Sequence, residues 1–307
     1  MSESNIRTHH RVCHLCEAMC GVVIQTNGSQ VVDIRGDQND PLSRGHVCPK
    51  AVSLKDIHED PDRLRKPLKR VRTDGGEFQH VEIEWNEALD LAASAIASTI
   101  QKYGVDAVGA YFGNPSVHNY GMMTHQRNLF RHIRTRNRFS ATSVDQLPHH
   151  LVSLWCYGHM LLQPVPDVDR THYFLMLGAN PLASNGSMWT VPDVRRRLKA
   201  LKARGGKLVV IDPRRTETAE LASEHFFIRP GSDAAFLLAV IHVLFRDDLV
   251  SLGLLSGFTD GLDDVAKAVS HLSPLWAAER TGIAASDIER IAHDFSRAEA
   301  GICYGRM

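Results

Sequence analysis

Tyr173-Phe174-Leu175-Met176-Leu177 is a run of five apolar residues stopped by Gly178-Ala179-Asn180-Pro181, and Lys207-Leu208-Val209-Val210-Ile211 repeats the pattern before Asp212-Pro213-Arg214-Arg215-Thr216. Apolar in nearly every position rather than every second one, such runs fit strands buried on both faces, as the strands of parallel sheets are. Between them, residues 193–204 read as a basic-faced helix closed by Gly205-Gly206. Phe226-Phe227-Ile228 makes a further short strand, after which Ser232 and Asp233 can cap an apolar helix reaching Phe245. Ser286-Asp287-Ile288-Glu289 has the spacing of a capping box for a helix to about Arg297, and a last strand begins at Ile302. Upstream, Asn86 can cap a helix through Lys102 whose Ala88, Leu89, Ala92, Ile96 and Ile100 recur at about 3.6-residue spacing, ended by Gly104. A strand over 107–112, an amphipathic stretch over 122–133 and a polar segment over 134–146 follow. Strand and helix taking turns predicts an α/β fold, a doubly wound, mostly parallel sheet with helices on both faces.

The 307 residues hold 35 Lys+Arg against 35 Asp+Glu and are 43% hydrophobic, enough to bury a large core and to divide into two domains or lobes. A formal net charge of zero removes the attraction on which nucleic-acid and anionic-membrane binding usually rests, so neither partner is expected. No run approaches the ~18 apolar residues of a membrane span. The start, MSESNIRTHH, lacks an apolar signal core and a twin-arginine pattern, which points to the cytoplasm. Within the first 60 residues two β-like runs, Gly21–Ile24 and Val31–Ile34, flank the turn signal Asn27-Gly28, predicting a small β-rich module. The polar stretch Pro61–Lys69 reads as a connector. The expected domains are therefore 1–68 and 69–307, with a nucleotide-binding lobe over about 150–300. The end at Tyr304-Gly305-Arg306-Met307, just past a strand where such folds place a ligand loop, is what a piece of a longer polypeptide would show.

Four of the six cysteines, Cys13, Cys16, Cys20 and Cys48, lie in the first 48 residues, too few and too uneven for a disulfide scaffold. Cys13-x2-Cys16-x3-Cys20 puts three thiols on one tight loop, and Cys48-Pro49 delivers a fourth after 27 intervening residues. A cubane 4Fe–4S cluster needs four thiolates around a compact cage, and short unequal spacings let one loop reach three of its irons. Structural zinc is the competing reading, although it usually uses two matched knuckles. Cys156 and Cys303, isolated in apolar surroundings, read as core thiols, and His9, His10 and His14 as solvated neighbours.

The cysteine pattern followed by Cys48-Pro49-Lys50 resembles the iron–sulfur domain of the molybdopterin oxidoreductases, the superfamily of formate dehydrogenases, nitrate reductases and dimethyl sulfoxide reductase. A second resemblance to the same family lies in Gly178-Ala179-Asn180-Pro181, in Ile211-Asp212-Pro213-Arg214-Arg215-Thr216-Glu217-Thr218-Ala219, and in Ile228-Arg229-Pro230-Gly231-Ser232-Asp233. It implies a bis-molybdopterin guanine dinucleotide with molybdenum or tungsten beside a 4Fe–4S cluster, and two-electron redox of a small-molecule substrate. It further implies cofactor contacts at Gly178, Asn180, Pro181, Asp212, Pro213, Arg214, Thr216, Gly231 and Asp233. The residues fit that role: a strand-end turn offers amides where open sheets bind ligands, Asp212 can accept from ribose or guanine, and Arg214 or Thr216 can meet phosphate. Plain structural roles stay open, Asp212 as a turn residue and Ser232-Asp233 as a helix cap. No G-x-G-x-x-G follows a strand, so a nicotinamide site is not expected.

By the same resemblance Lys50 lies between cluster and pterin, where a cation would stabilise an arriving electron; as a composition-level reading it is a surface lysine. The family's protein ligand to the metal falls in the window Arg136–Gln146, where no cysteine stands. Counting from Asn137 places it at Asp145, a hard oxygen donor suited to a high-valent metal, with Ser143 in reserve. His149 and His150 follow as proton-transfer groups or helix-surface residues. Tyr111, Asn114 and His118 fall in a loop that could touch a pterin. Without a flavin or nicotinamide motif, a redox partner such as a ferredoxin, flavoprotein or reductase subunit is implied. The alternatives are a non-catalytic iron–sulfur electron-transfer subunit of a respiratory complex that has lost molybdenum, and a non-redox hydratase on the same scaffold.

Overall fold

In the computed structural model, which describes residues 5–113, 116, 119–186 and 189–306, the chain divides into two compact units, Met1–Gln163 and Pro164–Met307. The first opens with an antiparallel meander of β1 (Ile6–Val12), β2 (Gly21–Asn27) and β3 (Gln30–Gly36). Its β2–β3 turn falls at Asn27-Gly28 as the sequence suggests, with Gly28 at φ +59°. Strand β1 is invisible to pattern reading because IRTHHRV carries apolar residues only near its ends. Two short helices, α1 (Pro49–Val52) and α2 (Leu54–Glu59), follow, and Ala51 joins Cys13, Ala18, Cys20, Val22 and Ile34 in a small buried core. A Cβ on Gly36 would land 2.0 Å from the Gly45 carbonyl oxygen, so only glycine lets the 37–45 loop close against the end of β3.

A hairpin of β4 (Leu68–Arg72) and β5 (Phe78–Glu82) comes next, then the long helix α3 (Trp85–Tyr103). Glu84, not Asn86, takes the cap position of α3, and Gly104 at φ +88° ends it as expected. None of its residues is buried, Leu89 being 61% exposed, so its apolar stripe is left uncovered by the described residues. Strand β6 (Ala110–Phe112) is shorter than the sequence suggests because Val105–Ala107 winds into a 3₁₀ turn. After α4 (Tyr120–Ile133), β7 (Arg138–Ser140) pairs in parallel with β6, inside a segment read from sequence only as polar. The 3₁₀ turn Ala141–Ser143 and α5 (Leu147–Tyr157) complete the described elements of this unit.

The second unit alternates strand and helix as the sequence predicts. Its elements are β8 (Tyr173–Leu177), α6 (Pro181–Ser184), α7 (Val194–Ala203), β9 (Lys207–Ile211), α8 (Glu217–Leu221), β10 (Glu224–Phe226), α9 (Asp233–Arg246), α10 (Leu262–Val269), α11 (Pro274–Thr281), α12 (Ala285–Arg297) and β11 (Gly301–Gly305). The four strands form one parallel sheet in the order β10-β9-β8-β11. All five residues of β8 are buried because both faces are covered. Tyr173, Leu175, Leu177, Val209 and Ile211 pack with Phe236, Val240 and Val243 of α9 and with Ile288 and Ile291 of α12. Phe174, Met176, Leu208 and Val210 face the other way, onto Trp189 and onto Leu198 and Leu201 of α7. Each such fully buried aliphatic side chain contributes about 1.5–3 kcal/mol.

Several local expectations are corrected. Strand β10 ends at Phe226 rather than running 226–228, because the chain turns away after pairing with Ile211. The 286–289 capping box does not form, since α12 starts at Ala285 with Ala284 in the cap position and no side-chain cap bond. Cys156 is exposed rather than a core thiol, and Cys303 is exposed as a residue although burial of its thiol pushes it up to about 11. Cys303 lies on the outer strand β11, where its neighbours Ile302 and Tyr304 take the side that packs on the α7 core. Among the described residues no helix is long and apolar enough to cross a membrane.

Candidate cofactor-binding site

The first candidate centre is the thiol loop. Met19 takes φ +47°, and the Cys13 N–H donates to the Cys20 carbonyl at 2.8 Å, folding residues 13–20 back on themselves at the mouth of β1 and β2. Behind them, the Gly21 N–H donates to the buried Ser43 hydroxyl, whose own O–H donates to Asp40 at 2.6 Å. Cys48 is carried in at the cap position of α1, whose Pro49 is preset for a first helical turn. Cys13 and Cys20 are buried, and Cys16 and Cys48 half-buried. Burial pushes the Cys20 thiol up to about 11, and the other three cysteines add to it; burial, then Cys16 and Cys48, also raise Cys13 against a bond from the Leu15 backbone. The thiols are thus near enough to oppose one another's ionisation, although among the described residues no three His, Cys, Asp or Glu side chains are already drawn together closely enough to hold a metal ion. The two buried thiols, Cys13 and Cys20, resist becoming thiolates on their own, and a bound centre of positive iron charge would offset that cost, which fits a cluster held by Cys13, Cys16, Cys20 and Cys48. His10 is engaged elsewhere, its Nδ1 bonded to Asp37 at 2.8 Å.

Other predicted residues of this unit lie on its surface. Lys50 is exposed on α1, two residues beyond Cys48. Asp145 and Ser143 are exposed just past the carboxyl end of β7, which is where the loops of a parallel pair gather ligands. His149 and His150 both fall on α5; His149 is half-buried, and His150 is buried with no hydrogen-bond partner for Nε2 among the described residues. Tyr111 is 70% exposed on β6, and Asn114 and His118 lie outside the described residues.

The second centre lies at the carboxyl ends of the sheet of the second unit. The strand order reverses beside β8, with β9 and β10 on one side and β11 on the other, and such a switch point opens a crevice above the strands. Gly178 leaves β8 with φ +57°, a left-handed turn that glycine takes without strain. Asn180 precedes α6, with Pro181 at its first position. The Asn180 Nδ2 donates to Glu217 Oε2 at 2.7 Å, and its Oδ1 accepts from the Thr218 hydroxyl at 2.7 Å. Asp212, 7% exposed, accepts the Arg214 N–H at 2.7 Å, the turn role that the residue type alone allows. Pro213 and Arg214 are exposed, whereas Thr216 is buried and caps α8 through Ala219 N–H at 3.1 Å. After β10, Gly231 takes φ +80° and Ser232 donates to the Arg229 carbonyl instead of capping α9, leaving Asp233 half-buried in its first turn. Glu217 and Thr218 had no role in the sequence reading. Their signal was their place directly after Thr216 at a helix start, facing the Asn-Pro turn of the preceding strand.

Three thiols on one loop with a fourth at the start of α1, and an open parallel sheet with polar turns at its switch point, are features of the class of proteins that carry an inorganic cluster beside an organic cofactor. The profile of the molybdopterin oxidoreductase family matches residues 63–271, and that of the molybdopterin oxidoreductase Fe4S4 domain matches residues 6–59. The chain belongs to the molybdopterin oxidoreductase family. It is 28% identical over 303 residues to formate dehydrogenase H of Escherichia coli, covering 96% of this chain and 41% of that protein. The probable oxidoreductase YoaE of Bacillus subtilis is 27% identical over 291 residues, covering 92% and 40%. Among solved structures, acetylene hydratase from Pelobacter acetylenicus superposes with a TM-score of 0.77 at 26% identity, over 97% of this chain and 40% of the other. The chain thus spans about two-fifths of the length of the relatives it matches.

Proposed function

We propose that the chain is the iron–sulfur and dinucleotide-binding portion of an oxidoreductase that works on a small molecule at a bis-molybdopterin guanine dinucleotide centre of molybdenum or tungsten. The observation that carries the reading is the pairing, in one chain, of four cysteines at the end of the β1–β3 module, two buried and two half-buried, with polar strand-end turns at the switch point of a parallel sheet. Bound there, the cofactors supply two-electron chemistry at the metal and single-electron exchange through the cluster. The chain's own residues do the rest. Cys13, Cys16, Cys20 and Cys48 hold the iron, within a module running to about residue 68. The turn Gly178-Ala179-Asn180-Pro181 and the polar groups Asp212, Pro213, Arg214 and Thr216 bind and orient the nucleotide, and Gly231 with Asp233 receives the guanine end. Asp145 offers an exposed carboxylate to the metal, and His149, a turn further on, moves protons there. Lys50 holds a positive charge beside the cluster loop. The likeness to formate dehydrogenase H supports a formate-dehydrogenase-like reaction, while a nitrate-reductase-like one and an external redox partner protein rest on the resemblance of the motifs. The likeness to acetylene hydratase favours a second reading, a hydration without net redox. Turnover of formate or nitrate with an artificial electron carrier, against acetylene with none, separates the two, and no turnover of any by protein containing metal and pterin contradicts both.

A further inference from the structure

Glu217 and Thr218 complete a directional chain of hydrogen bonds across the dinucleotide ledge. The Leu182 N–H of α6 donates to Thr218 Oγ1 at 3.3 Å, the Thr218 hydroxyl donates to Asn180 Oδ1 at 2.7 Å, and Asn180 Nδ2 donates to Glu217 Oε2 at 2.7 Å. A carboxylate only accepts, so the Asn180 amide has one possible orientation, nitrogen toward Glu217. All donors run one way and end on a negative charge, the arrangement in which each bond polarises the next. The chain is anchored at its centre, because Thr218 is fully buried, and it ends at the surface on the exposed Glu217. A bond from its own backbone and the one from Asn180 hold its carboxyl below the usual range, with Arg214 and Arg195 adding to this. What the chain ties together are the two turns that leave adjacent parallel strands, β8 and β9, by way of α6 and α8.

We propose that Glu217 is a positioning residue: by fixing Asn180 through the Thr218-centred chain, it holds the two strand-end turns at the spacing the pyrophosphate–ribose part of the cofactor requires. This rests on the dinucleotide-site reading above and assigns Glu217 no contact with the cofactor. Asn180 keeps its second amide hydrogen for the ligand, aimed by the first.

The test uses the protein as its cells make it, comparing Glu217→Ala with Glu217→Gln and Thr218→Val with Thr218→Ser. Two quantities are read: pterin released per iron, and hydrogen exchange of the peptide spanning 180–184. Glutamine can still accept from Asn180 and serine can still pass the bond on, so both retain pterin and protection within about twofold. Alanine and valine break the chain, and exchange rises about fivefold, with pterin per iron falling by a similar factor. Thr218→Ser guards against a folding defect, since it removes a buried methyl and keeps the hydroxyl. Equal behaviour of Glu217→Ala and Glu217→Gln, or wild-type pterin content in both Glu217→Ala and Thr218→Val, overturns the proposal while leaving the functional reading intact. Iron without pterin in the unsubstituted protein overturns the functional reading and takes the cofactor role of Glu217 with it.

Discussion

Replacing Arg290 with methionine removes a guanidinium that grips Glu224 through bonds of 3.1 and 2.6 Å, reaches Asp287 at 3.1 Å and stands 3.5 Å from Asp294. Lys207 also pairs with Glu224, and with Asp294 at 2.9 Å. Tyr173, Lys207 and Glu224 are the first residues of β8, β9 and β10, so the network clamps the amino-terminal edge of the sheet, the end opposite the candidate ledge. Burial alone would raise the Glu224 carboxyl, but the bonds from Arg290 and Lys207 outweigh it and hold the group below its ordinary 4.5. Bonds to charged groups contribute ~1.5–3 kcal/mol each when dry. Here Arg290 and Glu224 keep 38% and 27% of their side-chain surface, so solvent screening reduces the whole fork to about 1–2 kcal/mol. Methionine retains the aliphatic cover beside Phe226, whose ring lies 5.8 Å from the guanidinium carbon. In urea, unfolding followed by the fluorescence of Trp189 and Trp276 should move its midpoint down by roughly 0.5 M. The sign with pH is fixed by the depressed carboxyl: its stabilisation is complete above about pH 4.5 and is lost as pH falls through the lowered value, so the cost of Arg290→Met shrinks in acid. A midpoint unmoved at pH 7, or a double variant with Glu224→Gln whose losses merely add, refutes the reasoning.

Serine in place of Cys13, Cys16, Cys20 or Cys48 should lower iron content, whereas serine at the exposed Cys156 or Cys303 should leave it unchanged; iron analysis decides, and equal losses at all six would refute the assignment. Lys50→Met should slow reduction of the cluster in stopped-flow with metal content normal, and an unaltered rate would remove its electrostatic role. Asp145→Ala should abolish turnover, keep iron and pterin, and change the molybdenum or tungsten EPR signal; an unchanged signal shows that another group ligates the metal. Phe236→Ala, at a fully buried position between α9 and the sheet, should cost about 3–5 kcal/mol in urea unfolding, and a loss below 1 kcal/mol would contradict the packing described for that face.

The parallel sheet was legible because its strands are apolar on both sides: Phe174 and Leu175 face different cores and are both fully buried, so the run needs no alternation to announce itself. Strand β1 and the β4–β5 hairpin were not legible, since they are mostly exposed and carry the charges and histidines that solvent tolerates. Boundaries slipped where a cap was read from residue type alone. Ser232 and Ser286 have the hydroxyl a cap needs, but one donates to Arg229 and the other lies inside α12. The thiol loop could be read from spacing because Cys13, Cys16 and Cys20 lie on one turn, whereas the Asn180–Glu217 bond joins residues 37 apart in sequence and appears only once β8 and β9 are paired. The stripe of α3 was read correctly as apolar, yet sequence carried no sign that the described residues leave it uncovered.

Elemental analysis with low-temperature EPR on the protein as its cells make it, purified without oxygen, tests the central claim most directly. The account predicts about four irons per chain with the EPR signal of a reduced 4Fe–4S cluster, together with about one molybdenum or tungsten. Iron without molybdenum or tungsten would leave an electron-transfer subunit in place of the enzyme, and a colourless protein with zinc at its cysteines would contradict the account outright.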